Sequence, residues 1–126
     1  MIVPDVLLQP HSAPLGLAFY DGDQFPEQYR DDIFVASHGS WNRTVKTGYE
    51  VLRVRRIAGR ATGEYEDFIT GFVTDSSPEG TIRGRPAGVA VAADGSLLVS
   101  DELTGVIWRV RTTAVARAAG TRRRGH

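Results

Sequence analysis

The chain has 126 residues, with fifteen basic and fifteen acidic side chains, three histidines and no cysteine. Lacking cysteine, it cannot form disulfides, cysteine-ligated zinc or iron–sulfur centres, or use a catalytic thiol. A formal net charge of zero argues against a dedicated nucleic-acid binder, which carries a basic face, and 41% hydrophobic with 24% charged residues describes one globular domain or part of one.

Met1 to Gln9 has no basic residue ahead of its short apolar run Val6-Leu7-Leu8, so no export signal is expected there. No stretch approaches the roughly 18 apolar residues of a membrane span. β-Branched and aromatic residues, bounded by Gly, Pro and Asp, predict strands near 14–20, 32–38, 49–56 and 64–72, then near 86–93, 96–101 and 105–111. The acidic stretch Asp21, Asp23, Glu27, Asp31 and Asp32 lacks the glycine and closing glutamate of an EF-hand and reads as a solvated loop. In the third strand, alternation points Arg53 and Arg55 outward, away from Leu52 and Val54. The short runs Ile33 to Ala36 and Leu97 to Val99 fit strands buried on both faces, and Asp94-Gly95 predicts a two-residue hairpin turn. Thr112 to His126 is Ala-rich and then basic, and is expected to be a disordered tail.

Three phrases recur in the same order. Leu15-Gly16-Leu17-Ala18 matches Ala87-Gly88-Val89-Ala90, Phe34 to Ser37 matches Leu97 to Ser100, and Val51 to Arg55 matches Ile107 to Arg111. The spacing between copies shrinks from 72 to 63 to 56 residues, so the second copy keeps its strands and loses loop residues. A four-strand antiparallel unit that recurs after a few tens of residues predicts an all-β chain of β-propeller blades. Residues 1–111 form the partial propeller, with one blade at 10–72 and an incomplete one at 83–111 that lacks its fourth strand.

Ser37-His38-Gly39-Ser40-Trp41-Asn42-Arg43 follows a buried strand directly, so its polar groups emerge at the strand end. His38, Asn42, Arg43 and Trp41 supply donors, an acceptor and a stacking face suited to a polar, planar or carboxylate-bearing ligand. A hairpin turn capped by a satisfied histidine explains the same residues. A nucleophilic Ser40 with His38 as base lacks the G-x-S-x-G elbow. Arg83-Gly84-Arg85-Pro86 precedes the second copy's first strand. Pro86 holds Arg85 extended, and the two arginines either clamp an anion or are merely exposed. His11 occupies nearly the place in the first copy that Arg85 holds in the second.

The phrases from His11 to Tyr20, Gln24-Phe25-Pro26, Ser37 to Arg43, Gly71-Phe72-Val73 and Gly84-Arg85-Pro86 through Ser100-Asp101 together resemble the C-terminal part of the sorbosone/glucose dehydrogenase family. The resemblance runs over roughly residues 10–111, and its nearest branch is the L-sorbosone and pyranose dehydrogenases. It implies a six-bladed propeller that binds pyrroloquinoline quinone (PQQ) and Ca²⁺ and oxidises an aldose or sorbosone by hydride transfer, with an external electron acceptor. It places His38, Asn42 and Arg85 at the cofactor, with Trp41 beside them, and assigns no metal ligand and no general base to this chain. Such proteins usually work in the periplasm or outside the cell. Four or so blades of that propeller are absent from these residues, so the chain is expected to need the missing blades or self-association. A propeller remnant that binds partners without catalysis is the alternative.

Overall fold

Alternating apolar and polar residues with β-branched side chains pleat into strands, and seven are present among the residues that the computed structural model describes, 3–10, 12–40, 46, 48–74 and 80–112. They are β1 (Pro14–Phe19), β2 (Ile33–Ser37), β3 (Glu50–Ile57), β4 (Arg60–Ile69), β5 (Pro86–Val91), β6 (Leu97–Asp101) and β7 (Val106–Val110). β1 to β4 make a four-stranded antiparallel sheet in chain order, and β5 to β7 a three-stranded one. The fourth strand starts earlier than expected, at Arg60, and ends at Ile69, so Phe72 lies beyond it. No helix among the described residues is long and apolar enough to cross a membrane. The expected tail falls on residues outside those described, apart from Thr112.

The two sheets repeat each other down to an irregularity. Pro14 pairs with Ser37 and Gly16 with Ala36, with a shift of register between; Pro86 pairs with Asp101 and Gly88 with Ser100, with the same shift. This corrects the sequence alignment by one residue: Ser37 corresponds to Asp101, not Ser100. A one-residue slip exchanges the faces of a strand, so the correction decides which side chains are inside. The third phrase keeps its offset, because Arg53 faces Phe34 as Arg109 faces Leu98.

The main core lies between the sheets. Tyr20, Phe25, Phe34 and Val51 pack against Leu97 and Val99, with Tyr29 and Phe68 at the margin. A smaller cluster of Val35, Leu52 and Val54 on the other face of the first sheet is covered by Val6 and Leu8. β2 is therefore buried on both faces, as read from sequence. β6 instead alternates between buried and half-buried residues. The sheets approach closely where β1 meets β5: a Cβ on Gly16 would lie 2.7 Å from the Ala87 carbonyl oxygen.

The acidic loop is not simply solvated. Asp32 is buried; its Oδ2 accepts from Arg53 Nε at 2.6 Å and its Oδ1 from the Arg56 N–H at 2.9 Å. Arg53 also donates to Glu66 at 2.8 Å and lies 3.8 Å from the Tyr29 ring centre, so the expected outward arginine is inside. Burial alone would push its guanidinium down, but Asp32 and Glu66 more than offset that and hold it above its ordinary value. The β5–β6 hairpin also differs from the expected two-residue turn. Ala92 and Ser96 pair across a three-residue loop, with Gly95 at φ +88° closing a turn in which Asp94 Oδ1 accepts the Ser96 N–H. Tyr20 Oη donates to the Gly95 carbonyl at 2.7 Å, which ties this hairpin to the first sheet.

Candidate functional site

The strand ends at Ser37, Glu50, Pro86 and Asp101 bring the two chemistry-bearing phrases to one end of the molecule. Pairing continues past β2, since the His38 and Gly39 N–H groups donate to the Ala13 and Ser12 carbonyls at 2.9 and 3.0 Å. Gly39 has φ +106°, and a Cβ there would sit 2.4 Å from the Tyr49 ring. Tyr49 itself has φ +61°, a conformation rare for a bulky residue that persists where surroundings over-determine it. Its ring lies under Gly39, its hydroxyl donates to the Ser40 carbonyl, and the Arg85 guanidinium lies 5.4 Å from the ring centre.

Arg85 joins the sheets. Its Nε donates to the His38 carbonyl at 3.3 Å, and its Nη2 to the Gly39 and Ser40 carbonyls at 3.1 and 3.3 Å. Its own N–H donates to Asp101 Oδ1 at 2.9 Å. Nη1 makes no hydrogen bond among the described residues. His38, mostly buried, pairs through Nε2 with the exposed Glu102 carboxylate, which favours a proton on that nitrogen. Asp101 is buried and also accepts from the Leu103 and Thr104 N–H groups and the Trp108 indole. Burial would push its carboxyl up, but the hydrogen bonds, Arg85 N–H first, outweigh it and hold it below the usual carboxylate range.

His38 and Arg85 thus come together across 47 residues, whereas Trp41, Asn42 and His11 lie outside the described residues. Sequence reading did not single out Tyr49, Asp101 as a turn anchor, or Glu102. Gly48-Tyr49 at a strand entry was a usable signal for the first. A guanidinium nitrogen such as Arg85 Nη1 suits an anion. No group of three acidic, histidine or cysteine side chains able to hold a metal ion is present among the described residues. The converging carbonyls of His38, Gly39 and Ser40 meet a guanidinium instead.

A second polar cluster faces the other way. Glu50 is opposite Ser37, whose fully buried hydroxyl has no partner among the described residues. Burial, and then the neighbouring Asp67, raise the Glu50 carboxyl to about 7 from 4.5. A folded-state pKa above the unfolded one favours folding below about 4.5, and that contribution is lost as pH rises through about 7. Glu50→Gln is therefore expected to raise the melting temperature relative to wild type at pH 8 but not at pH 4.5. Equal differences at both pH values in thermal melts would refute the assignment.

Comparison with known proteins follows this geometry. The TrAA12-like family model matches residues 1–113. A Borreliella burgdorferi protein is 36% identical over 86% of this chain and 28% of its own length. The pyrroloquinoline quinone-dependent pyranose dehydrogenase of Coprinopsis cinerea is 30% identical over 87% of this chain. The match covers 16% of that enzyme, so this chain spans less than a third of either curated relative. The holo form of the Coprinopsis PQQ domain superposes with TM-score 0.66 over 86% of this chain and 29% of that one, at 30% identity. A Trichoderma reesei family AA12 structure determined with calcium gives TM-score 0.68 at 22% identity, over 87% of this chain and 27% of that one, a likeness of fold.

Proposed function

Because this chain belongs to the TrAA12-like family, we propose that its sheets are two adjacent blades of a β-propeller that forms one wall of a PQQ site in a sugar dehydrogenase. The observation that carries this reading is the meeting of His38 and Arg85 at the strand ends, where the Arg85 guanidinium holds the 38–40 carbonyls and the His38 ring pairs with Glu102. The 30% identity to the pyranose dehydrogenase and to its PQQ domain supports the class of cofactor and substrate. Bound, PQQ would supply an o-quinone that accepts a hydride, one proton with two electrons, from a sugar hydroxyl carbon.

The chain's own part is to bind and orient. Arg85 Nη1 would pair with a carboxylate of the quinone, while Nε and Nη2 hold the 38–40 backbone so that His38 stays fixed. Glu102 holds the proton of His38 at Nε2. Trp41 and Asn42 complete the proposed contact set. The described residues offer no calcium site, so any Ca²⁺ there would rely on other ligands. The remaining blades, the sugar pocket and the route to an external electron acceptor belong to other segments or subunits.

Titration of the chain with PQQ, with and without Ca²⁺, tests the reading through the quinone absorbance. Saturable binding is expected, weakened about tenfold or more by Arg85→Lys, which keeps the charge but loses the fork. Reduction of a redox dye on adding an aldose would show that the chain assembles into a working enzyme. No spectral change with a folded sample would refute a cofactor role and leave a blade pair that only binds partners.

A further inference from the structure

The two sheets carry different residues at matched positions of the site, and the difference locates what anchors it. Pro14 pairs with Ser37 as Pro86 pairs with Asp101, so Ala13 corresponds to Arg85 and His38 to Glu102. The backbone obeys the same match. The His38 N–H donates to the Ala13 carbonyl at 2.9 Å, and the Glu102 N–H to the Arg85 carbonyl at 3.0 Å. Where the second sheet has Asp101, the first has a serine whose buried hydroxyl has no partner among the described residues. Ala13 there takes φ +54°, whereas Arg85 keeps a negative φ.

The Asp101 carboxylate supplies what the serine does not. Its Oδ1 accepts the Arg85 N–H at 2.9 Å and those of Leu103 and Thr104 at 3.1 and 3.3 Å; its Oδ2 accepts the Trp108 indole at 3.2 Å. Both backbone polar groups of Arg85 are therefore tied to residues 101 and 102. A Cβ on Gly84 would lie 2.5 Å from Asp101 Oδ2 and 2.7 Å from the Phe72 ring, so the carboxylate accounts for the glycine between Arg83 and Arg85. All four side-chain bonds of Asp101 stay within the second sheet and its loops. The side chains on either side of it cross to the first: Arg85 to the 38–40 carbonyls, Glu102 to the His38 ring.

We infer that Asp101 is a positioning residue, whose carboxylate fixes the Arg85 backbone and, through it, the guanidinium that holds the His38 loop. Its expected effect on quinone affinity rests on the cofactor role proposed above; its effect on Arg85 is read without quinone.

The Arg85 Nε–H signal in NMR spectra of the full chain, assigned by its loss in Arg85→Lys, reports the clamp. Asp101→Ser installs the residue that the first sheet carries at this place. It should speed exchange of that proton by about tenfold or more relative to the core amides of Val51 and Val99. Gly84→Ala, whose Cβ meets Oδ2, should do the same with Asp101 intact. Asp101→Asn keeps an acceptor for the Arg85 N–H and should restore slow exchange, and Trp108→Phe, which removes only the other arm, should leave it slow. A wild-type Nε–H already in fast exchange, or equal acceleration of Arg85 and the core amides, would overturn the inference. In PQQ titrations, Asp101→Ser added to Arg85→Lys should weaken binding no further than Arg85→Lys alone. Additive losses would overturn the inference, because Asp101 would then act apart from Arg85. No quinone binding by the folded wild-type chain would refute the cofactor role instead, and the exchange rates would decide the role of Asp101.

Discussion

Asp32→Ala is expected to destabilise the fold by about 3–5 kcal/mol, because it leaves a buried guanidinium without its inner partner. The carboxylate is 1% exposed and holds Arg53 at 2.6 Å while accepting the Arg56 N–H. Without it, Arg53 keeps Glu66, itself half in water, and a 3.3 Å contact to the Gln28 carbonyl. The Arg56 N–H loses its acceptor as well. Glu66→Gln is a matched control: it removes the exposed arm of the same network and should cost about 1 kcal/mol or less. Urea unfolding of both variants tests this directly. Equal costs would mean that the buried pair does not anchor the loop between β1 and β2.

The second large effect concerns the site. Gly39→Ala is expected to cost about 2–4 kcal/mol, from steric overpacking and from a φ that side chains rarely adopt. Its Cβ would lie 2.4 Å from the Tyr49 ring, so the ring or the loop would have to shift. Tyr49 is buried beneath the loop, bonded to the Ser40 carbonyl and flanked by Arg85. Displacing the ring moves the three carbonyls that Arg85 holds, so any affinity for an anionic ligand should fall with the stability. A melting temperature within 2 °C of wild type would show that the loop can re-form around a side chain, and would remove the argument that it is preorganised.

The strands were readable because pleating writes a two-residue period into the residues; all seven were found, though the fourth runs Arg60–Ile69 rather than over 64–72. The internal repeat was readable for the same reason, but only to within one residue. Phe34 to Ser37 and Leu97 to Ser100 look alike as apolar runs, and hydrophobicity alone does not fix which residue faces which. The register pairs Gly16–Ala36 and Gly88–Ser100 do fix it. Arg53 shows the complementary limit. Alternation gives its face, but whether that face is water or protein depends on Asp32, supplied by a loop 21 residues away.

At the site, the residue types of the 37–43 and 83–86 phrases pointed to polar groups at a strand end, suited either to an anionic ligand or to a capped turn. That much follows from local chemistry: a histidine after a buried strand, and an arginine held extended by Pro86. The fold decided how they combine. Arg85 directs two of its nitrogens to the backbone of residues 38–40, because the close approach of β1 and β5 brings the second sheet's entry beside the first sheet's exit. Sequence alone determined the all-β class and the repeat, since each is a pattern along the chain. Only the tertiary structure decided which charges are buried and which carbonyls an arginine meets, because those depend on residues far apart in sequence being packed side by side.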